Sequence, residues 1–182
     1  MNLPNILTVS RIVMIPALVL VFFMPFYWAY MGSAIIFAFA AATDWLDGFF
    51  ARRWNQSTPL GAFLDPVADK LIVSVALALL IHDYGSLFLT IPALVIIGRE
   101  IVISALREWM AEMGKRASVA VSLVGKFKTG FQMLAIVMLL AYPPGEPVSR
   151  AGLVMLALAA GLTLWSMTVY LKTAWEEIER TT

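Results

Sequence analysis

Four aspartates, Asp44, Asp47, Asp65 and Asp69, fall within the single stretch "DWLDGFFARRWNQSTPLGAFLDPVADK". On an α-helix, residues three or four apart share a face, so Asp44 pairs with Asp47 and Asp65 with Asp69. Gly48 and Ala51 fall on the face of Asp44, and Gly61 lies one turn before Asp65, so the surroundings of the carboxylates are small enough for a backbone or ligand to approach closely. Four carboxylates gathered near a low-dielectric region repel one another, and bound cations remove that conflict. The chain has no cysteine and one histidine, His82. The ligand set is therefore hard oxygen, which suits Mg²⁺, Mn²⁺ or Ca²⁺ rather than zinc or copper. Four acids suffice for two ions roughly 3.5–4 Å apart, the spacing that clamps the attacking and leaving oxygens of phosphoryl chemistry.

The elements that must position these groups are apolar. The chain is 61% hydrophobic and 14% charged over 182 residues, with a mean hydropathy of +0.85. That composition predicts an all-α polytopic membrane protein, a single integral membrane domain over 1–182. Apolar runs broken by charge, Gly or Pro predict six transmembrane helices at about 6–25, 31–50, 62–82, 87–108, 119–141 and 150–171. "MPFYWAY", "HDYGS" and "YPPGEPVSR" read as short connections, and "TAWEEIERTT" as a polar helical extension. With the N-terminus in the cytoplasm, every Lys and Arg except Arg150 falls on the cytoplasmic side or at the helix ends facing it. Trp28, Tyr30, Tyr84 and Tyr142 fall where an outer aromatic belt is expected. "MNLPNILTVSR" lacks the basic n-region of a signal peptide and reads as retained. A net charge of +1 gives no concentrated basic surface, which argues against a nucleic-acid partner.

Taken together, Asp44-x-x-Asp47-Gly48-x-x-Ala51-Arg52, Gly61, Asp65 and Asp69 match at each fixed position the signature of the CDP-alcohol phosphatidyltransferases, and the chain resembles that family. "NLPNILTVSR" and "GREIVISALREWMAEMGKRASVAVSLVGKFKTG" are similar to the bacterial members that make phosphatidylglycerophosphate. The resemblance implies a six-helix bundle of that family's type in the cell inner membrane. The implied reaction moves the phosphatidyl group of CDP-diacylglycerol to glycerol 3-phosphate and releases CMP. The resemblance also implies two Mg²⁺ (or Mn²⁺) ions held by Asp44, Asp47, Asp65 and Asp69, with Asp69 as the base that takes the acceptor proton. It sets Gly48, Arg52 and Thr58 around the CDP-diacylglycerol nucleotide, and it implies a homodimer.

Other assignments have competing explanations. Asn5, Thr8 and Arg11 recur every three residues as a polar stripe at the mouth of the first span. They are candidates for CDP-diacylglycerol binding, while helix capping and headgroup contact account for them nearly as well. A glycerol 3-phosphate pocket must hold a dianion, and Arg99, Arg107, Lys126 and Lys128 are the candidates, since basic residues in apolar segments are costly unless paired or facing a cavity. Arg99 with Glu100, and Arg107 with Glu108 or Glu112, are the alternative local pairs. Arg52 and Arg53 also fit ordinary anchoring on the cytoplasmic side. His82 beside Asp83 reads as a belt or capping residue. Ala34, Ala38 and Ala42, at four-residue spacing, predict a small-residue ridge for close packing.

Three rival activities keep the aspartates and change the rest. Serine, inositol phosphate or phosphatidylglycerol as acceptor requires a different basic pocket. Membrane prenyltransferases share paired Asp-rich motifs with magnesium but lack the Asp-Gly-x-x-Ala-Arg run. An acid-lined cation transporter predicts ion or proton flux and no CMP release.

Overall fold

The computed structural model describes residues 3–54, 59–112 and 123–179. Among them the chain forms six helices: α1 (Leu3–Phe22), α2 (Trp28–Trp54), α3 (Pro59–Tyr84), α4 (Leu87–Glu112), α5 (Leu123–Ala141) and α6 (Pro147–Glu179). Their order and approximate extents follow the six predicted segments. Pro59 and Pro147 open α3 and α6, where a missing N–H costs nothing and the fixed φ suits the first turn. Gly85 (φ 52°) stops α3 and Gly145 (φ 97°) turns the chain into α6, both in the left-handed region that glycine adopts without strain. The predicted polar extension after the last apolar run continues α6 as helix as far as Glu179.

Side-chain contacts fix the direction of each helix. Near the α1–α2 connection, a Cβ on Gly32 would lie 3.0 Å from Val21 Cγ1, so these helices run antiparallel. Thr8 meets Asp65, which makes α1 and α3 parallel, and Lys70 meets Ser104, which makes α3 and α4 antiparallel. Arg107 lies over Tyr170 near the C-terminal ends of α4 and α6. A Cβ on Gly152 would lie 3.0 Å from Leu139 Cγ and 3.3 Å from the Ala135 carbonyl, so α5 and α6 run antiparallel in close contact there. The N-terminal ends of α1, α3 and α5 therefore gather with the C-terminal ends of α2, α4 and α6 at one end of an up-and-down bundle.

The interior is built from Leu18, Phe37, Leu77, Leu80, Leu89, Ile96, Ile136, Leu139, Leu140 and Leu156, all fully buried. The outside is apolar too: Val13, Leu20, Ile35, Phe39, Leu94, Ile101, Val154, Leu158 and Trp165 are exposed. Helices apolar on every face suit lipid, where close packing rather than expulsion of water holds them together. Two helical segments, Leu87–Glu112 and Pro147–Lys172, are long and apolar enough to cross a membrane, and Thr8–Phe22, Trp28–Thr43 and Thr129–Ala141 are shorter apolar stretches. The small-residue ridge is used differently from expectation. Ala34 is buried, but Ala38 is half-buried and Ala42 exposed. Successive four-residue steps each rotate about 40° off the contact face, whereas Ser33, Phe37 and Ala40, in steps of four and three, stay on it and are buried.

Candidate active site

Two of the four aspartates project from the first half of α3. Asp65 and Asp69 lie four residues apart, as the helical period requires, and both are partly exposed. Each carboxylate is met by a side chain from α1. Thr8 donates its hydroxyl hydrogen to Asp65 Oδ1, and the Arg11 guanidinium donates to Asp69 Oδ1 in an ion pair. Thr8 and Arg11 are themselves buried. The register is one turn of α1 against one turn of α3, so the polar stripe of α1 runs along the acidic face of α3.

The N-terminal stripe thus touches carboxylates, a contact that sequence reasoning did not foresee. Asn5 lies on the first turns of α1, with its side chain outside the described residues. Asp44, Asp47, Gly48 and Arg52 lie on the C-terminal half of α2, and their side chains are likewise outside the described residues. Thr58 lies outside them altogether. Helix α2 packs against α1 and α3, and its C-terminal end belongs to the same end of the bundle as Asp65.

The four candidate cations separate. Arg99 is paired locally with Glu100, at 2.7 Å. Ser104 lies level with Lys70, which puts Arg99, five residues back along α4, roughly 7 Å deeper into the bundle than the carboxylates' neighbour. Arg107 is one turn nearer the carboxylate end of the bundle. It is exposed, and its guanidinium carbon stands 5.6 Å from the centroid of the buried Tyr170 ring, a cation–π arrangement that leaves N–H groups available. Lys126 and Lys128 open α5, with side chains outside the described residues. One further group emerges from the packing: Lys70, directly after Asp69, donates to Ser104 Oγ and ties α3 to α4 beside the acidic face. A lysine within an apolar helix is the signal that marks it in sequence.

The described donor set is all oxygen. Asp65 and Asp69 present partly exposed carboxylates from a rigid helix, with Thr8 holding Asp65 from outside, an arrangement that fits a hard divalent ion. Among the described residues no three such ligands converge; the α2 carboxylates lie outside them.

An acidic helix face at the polar end of an apolar six-helix bundle is the architecture expected of an enzyme acting on a lipid at a membrane surface. The sequence matches the family profile described as CDP-alcohol phosphatidyltransferase over residues 1–165, and the chain belongs to that family, whose members are membrane-associated enzymes. It is 56% identical over 181 residues to a CDP-diacylglycerol--glycerol-3-phosphate 3-phosphatidyltransferase of Pseudomonas fluorescens, covering 98% of this chain and 93% of that one. Proteins of the same name from Salmonella choleraesuis (strain SC-B67) and Yersinia pestis (strain Pestoides F) are each 58% identical. The first match covers 95% of this chain and 94% of the relative, the second 98% and 97%.

Proposed function

We propose that this protein transfers the phosphatidyl group of CDP-diacylglycerol to glycerol 3-phosphate, giving phosphatidylglycerophosphate and CMP. The reading rests above all on the acidic face of α3, where Asp65 and Asp69 stand one turn apart and partly exposed at the polar end of an apolar bundle. Relatives that carry this activity in their names match nearly the whole chain.

Asp44 and Asp47 from α2 join Asp65 and Asp69 from α3 to hold two Mg²⁺ or Mn²⁺ ions. When bound, these ions offset the charge of the donor pyrophosphate and favour departure of CMP. Gly48, Arg52 and Thr58 surround the nucleotide: Gly48 admits close approach, and Arg52 offers a forked pair of N–H groups to phosphate. The acceptor hydroxyl gives its proton to a carboxylate oxygen of Asp69 as its own oxygen attacks the lipid-bearing phosphorus. Arg11 fixes the rotamer of Asp69, and Thr8 that of Asp65. Arg107, with Lys126 and Lys128 from α5, receives the acceptor phosphate at the same end of the bundle.

All six helices serve as membrane spans in this reading. A helix of 20 residues such as α1 is about 30 Å long, the thickness of a hydrocarbon core. The concentration of Lys and Arg at the Asp65 end sets that end in the cytoplasm and the protein in the inner membrane. A homodimer completes the assembly.

The deciding experiment supplies labelled CDP-diacylglycerol and a panel of acceptors to the purified protein and identifies the lipid formed. Glycerol 3-phosphate alone is expected to give product, with stoichiometric CMP, and chelation is expected to stop it. Product from serine or inositol phosphate instead would replace the acceptor; ion flux in vesicles without CMP release would replace the reaction.

A further inference from the structure

At the end of the bundle opposite Asp65, a partly open cavity of about 80 Å³ is lined by Phe22, Met24, Phe26, Ala29, Tyr30 and Asp83. It is formed where the last residue of α1, the α1–α2 connection, the first turn of α2 and the last turn of α3 meet. Nothing in the transfer reaction uses it.

Its chemistry is unusual for an apolar bundle. Asp83 Oδ2 is buried, and no hydrogen-bond donor among the described residues reaches it. A buried charged acceptor left in that condition is costly. The His82 ring is occupied elsewhere, edge-on to Phe23 with centroids 5.5 Å apart. Phe22, Phe26 and Tyr30 line the same cavity. Phe26 is backed by Trp28, stacked at 5.5 Å and within 6° of parallel.

A carboxylate in a cavity lined by aromatic residues complements a cation with an apolar skirt. Donor count narrows the class: the lining offers too few oxygens to replace the shell of a divalent ion. An acceptor oxygen without a donor calls for N–H, which a primary ammonium carries and a quaternary one lacks. Phe23, Phe26, Tyr27 and Trp28 are exposed beside the cavity, as befits the interfacial layer where headgroups lie.

We propose that this cavity is a binding site for a primary ammonium group, presented by a lipid headgroup or by a small free amine, with Asp83 as its anion and Phe22, Phe26 and Tyr30 as its aromatic wall. The test uses full-length protein in detergent micelles, with native mass spectrometry counting retained molecules of phosphatidylethanolamine, phosphatidylcholine or free ethanolamine. Phosphatidylethanolamine is expected to be retained about tenfold better than phosphatidylcholine, and Asp83→Asn is expected to erase that preference while leaving phosphatidyl transfer intact. Phe26→Leu, at an exposed position that leaves the fold alone, is expected to weaken retention about two- to fivefold. Retention of ethanolamine but not of the lipid assigns the site to free amines. Equal retention of the two lipids together with no retained ethanolamine, or retention indifferent to Asp83→Asn, overturns the proposal.

Discussion

Arg11 and Asp69 form an ion pair between α1 and α3 in which the cation's side chain is 1% exposed and the carboxylate's 35%. The asymmetry sets their roles. The guanidinium is sealed in the bundle, whereas the carboxylate keeps about a third of its surface open while one oxygen is held.

Replacing Asp69 separates chemistry from binding. Asp69→Asn keeps the shape and removes the base, so transfer is expected to fall by at least about 10²-fold, while CMP binding, read by calorimetry, remains detectable. Full activity in this variant would remove Asp69 as the base. Arg11→Met is expected to lower both activity and thermal stability. Loss of a buried partner costs about 3–5 kcal/mol, and the exposure of Asp69 brings the figure toward or below the lower limit.

Thr8 donates to Asp65, so under the proposed function its removal is expected to act through metal affinity. Thr8→Val is expected to raise the magnesium concentration for half-maximal activity by about tenfold or more, in line with other partners of metal ligands. Saturating magnesium should restore most of the rate. A fall in rate that magnesium does not repair would place Thr8 on the substrate instead.

Arg107 and Arg99 should part company in kinetics. Arg107→Ala is expected to raise the KM for glycerol 3-phosphate about tenfold while that for CDP-diacylglycerol changes little. Arg99→Ala leaves Glu100 without its cation and is expected to appear as a lower melting temperature with both KM values near the parent. An equal effect of Arg107→Ala on both substrates would count against its acceptor role.

Gly152 lies at a close helix contact. A valine there meets Leu139 Cγ and Met138 Cβ at 3.0 and 3.2 Å with its first carbon, and the β-branch adds more bulk. Gly152→Val is expected to destabilise by about 1–3 kcal/mol, measured by unfolding of the detergent-solubilised protein. Gly161, whose added Cβ meets nothing within 4 Å, supplies the control, Gly161→Ala, with little change.

The number and order of helices were legible because apolar runs are bounded where Gly85, Gly145, Pro59 and Pro147 stand, and local backbone chemistry is written in local residues. The pairing of Asp65 with Asp69 was legible for the same reason, being a matter of helical period. What α1 does with Thr8 and Arg11 was not. A polar stripe announces that it faces something, but its partner depends on which helix lies alongside and at what height. The same limit governs Lys70, whose acceptor is Ser104 on the next helix. For Arg99, both the local pair with Glu100 and the remote phosphate role were open on spacing alone, and the 2.7 Å contact supports the local one. Ala42 misled because a four-residue repeat resembles a ridge over two steps, while the helix rotates away from its neighbour.

The contact of α1 with α3 also bears on how the protein is made. Arg11 leaves the ribosome 58 residues before Asp69. The ion pair that joins α1 to α3 therefore cannot form until the third helix has been made, and the buried guanidinium of the first waits for its carboxylate.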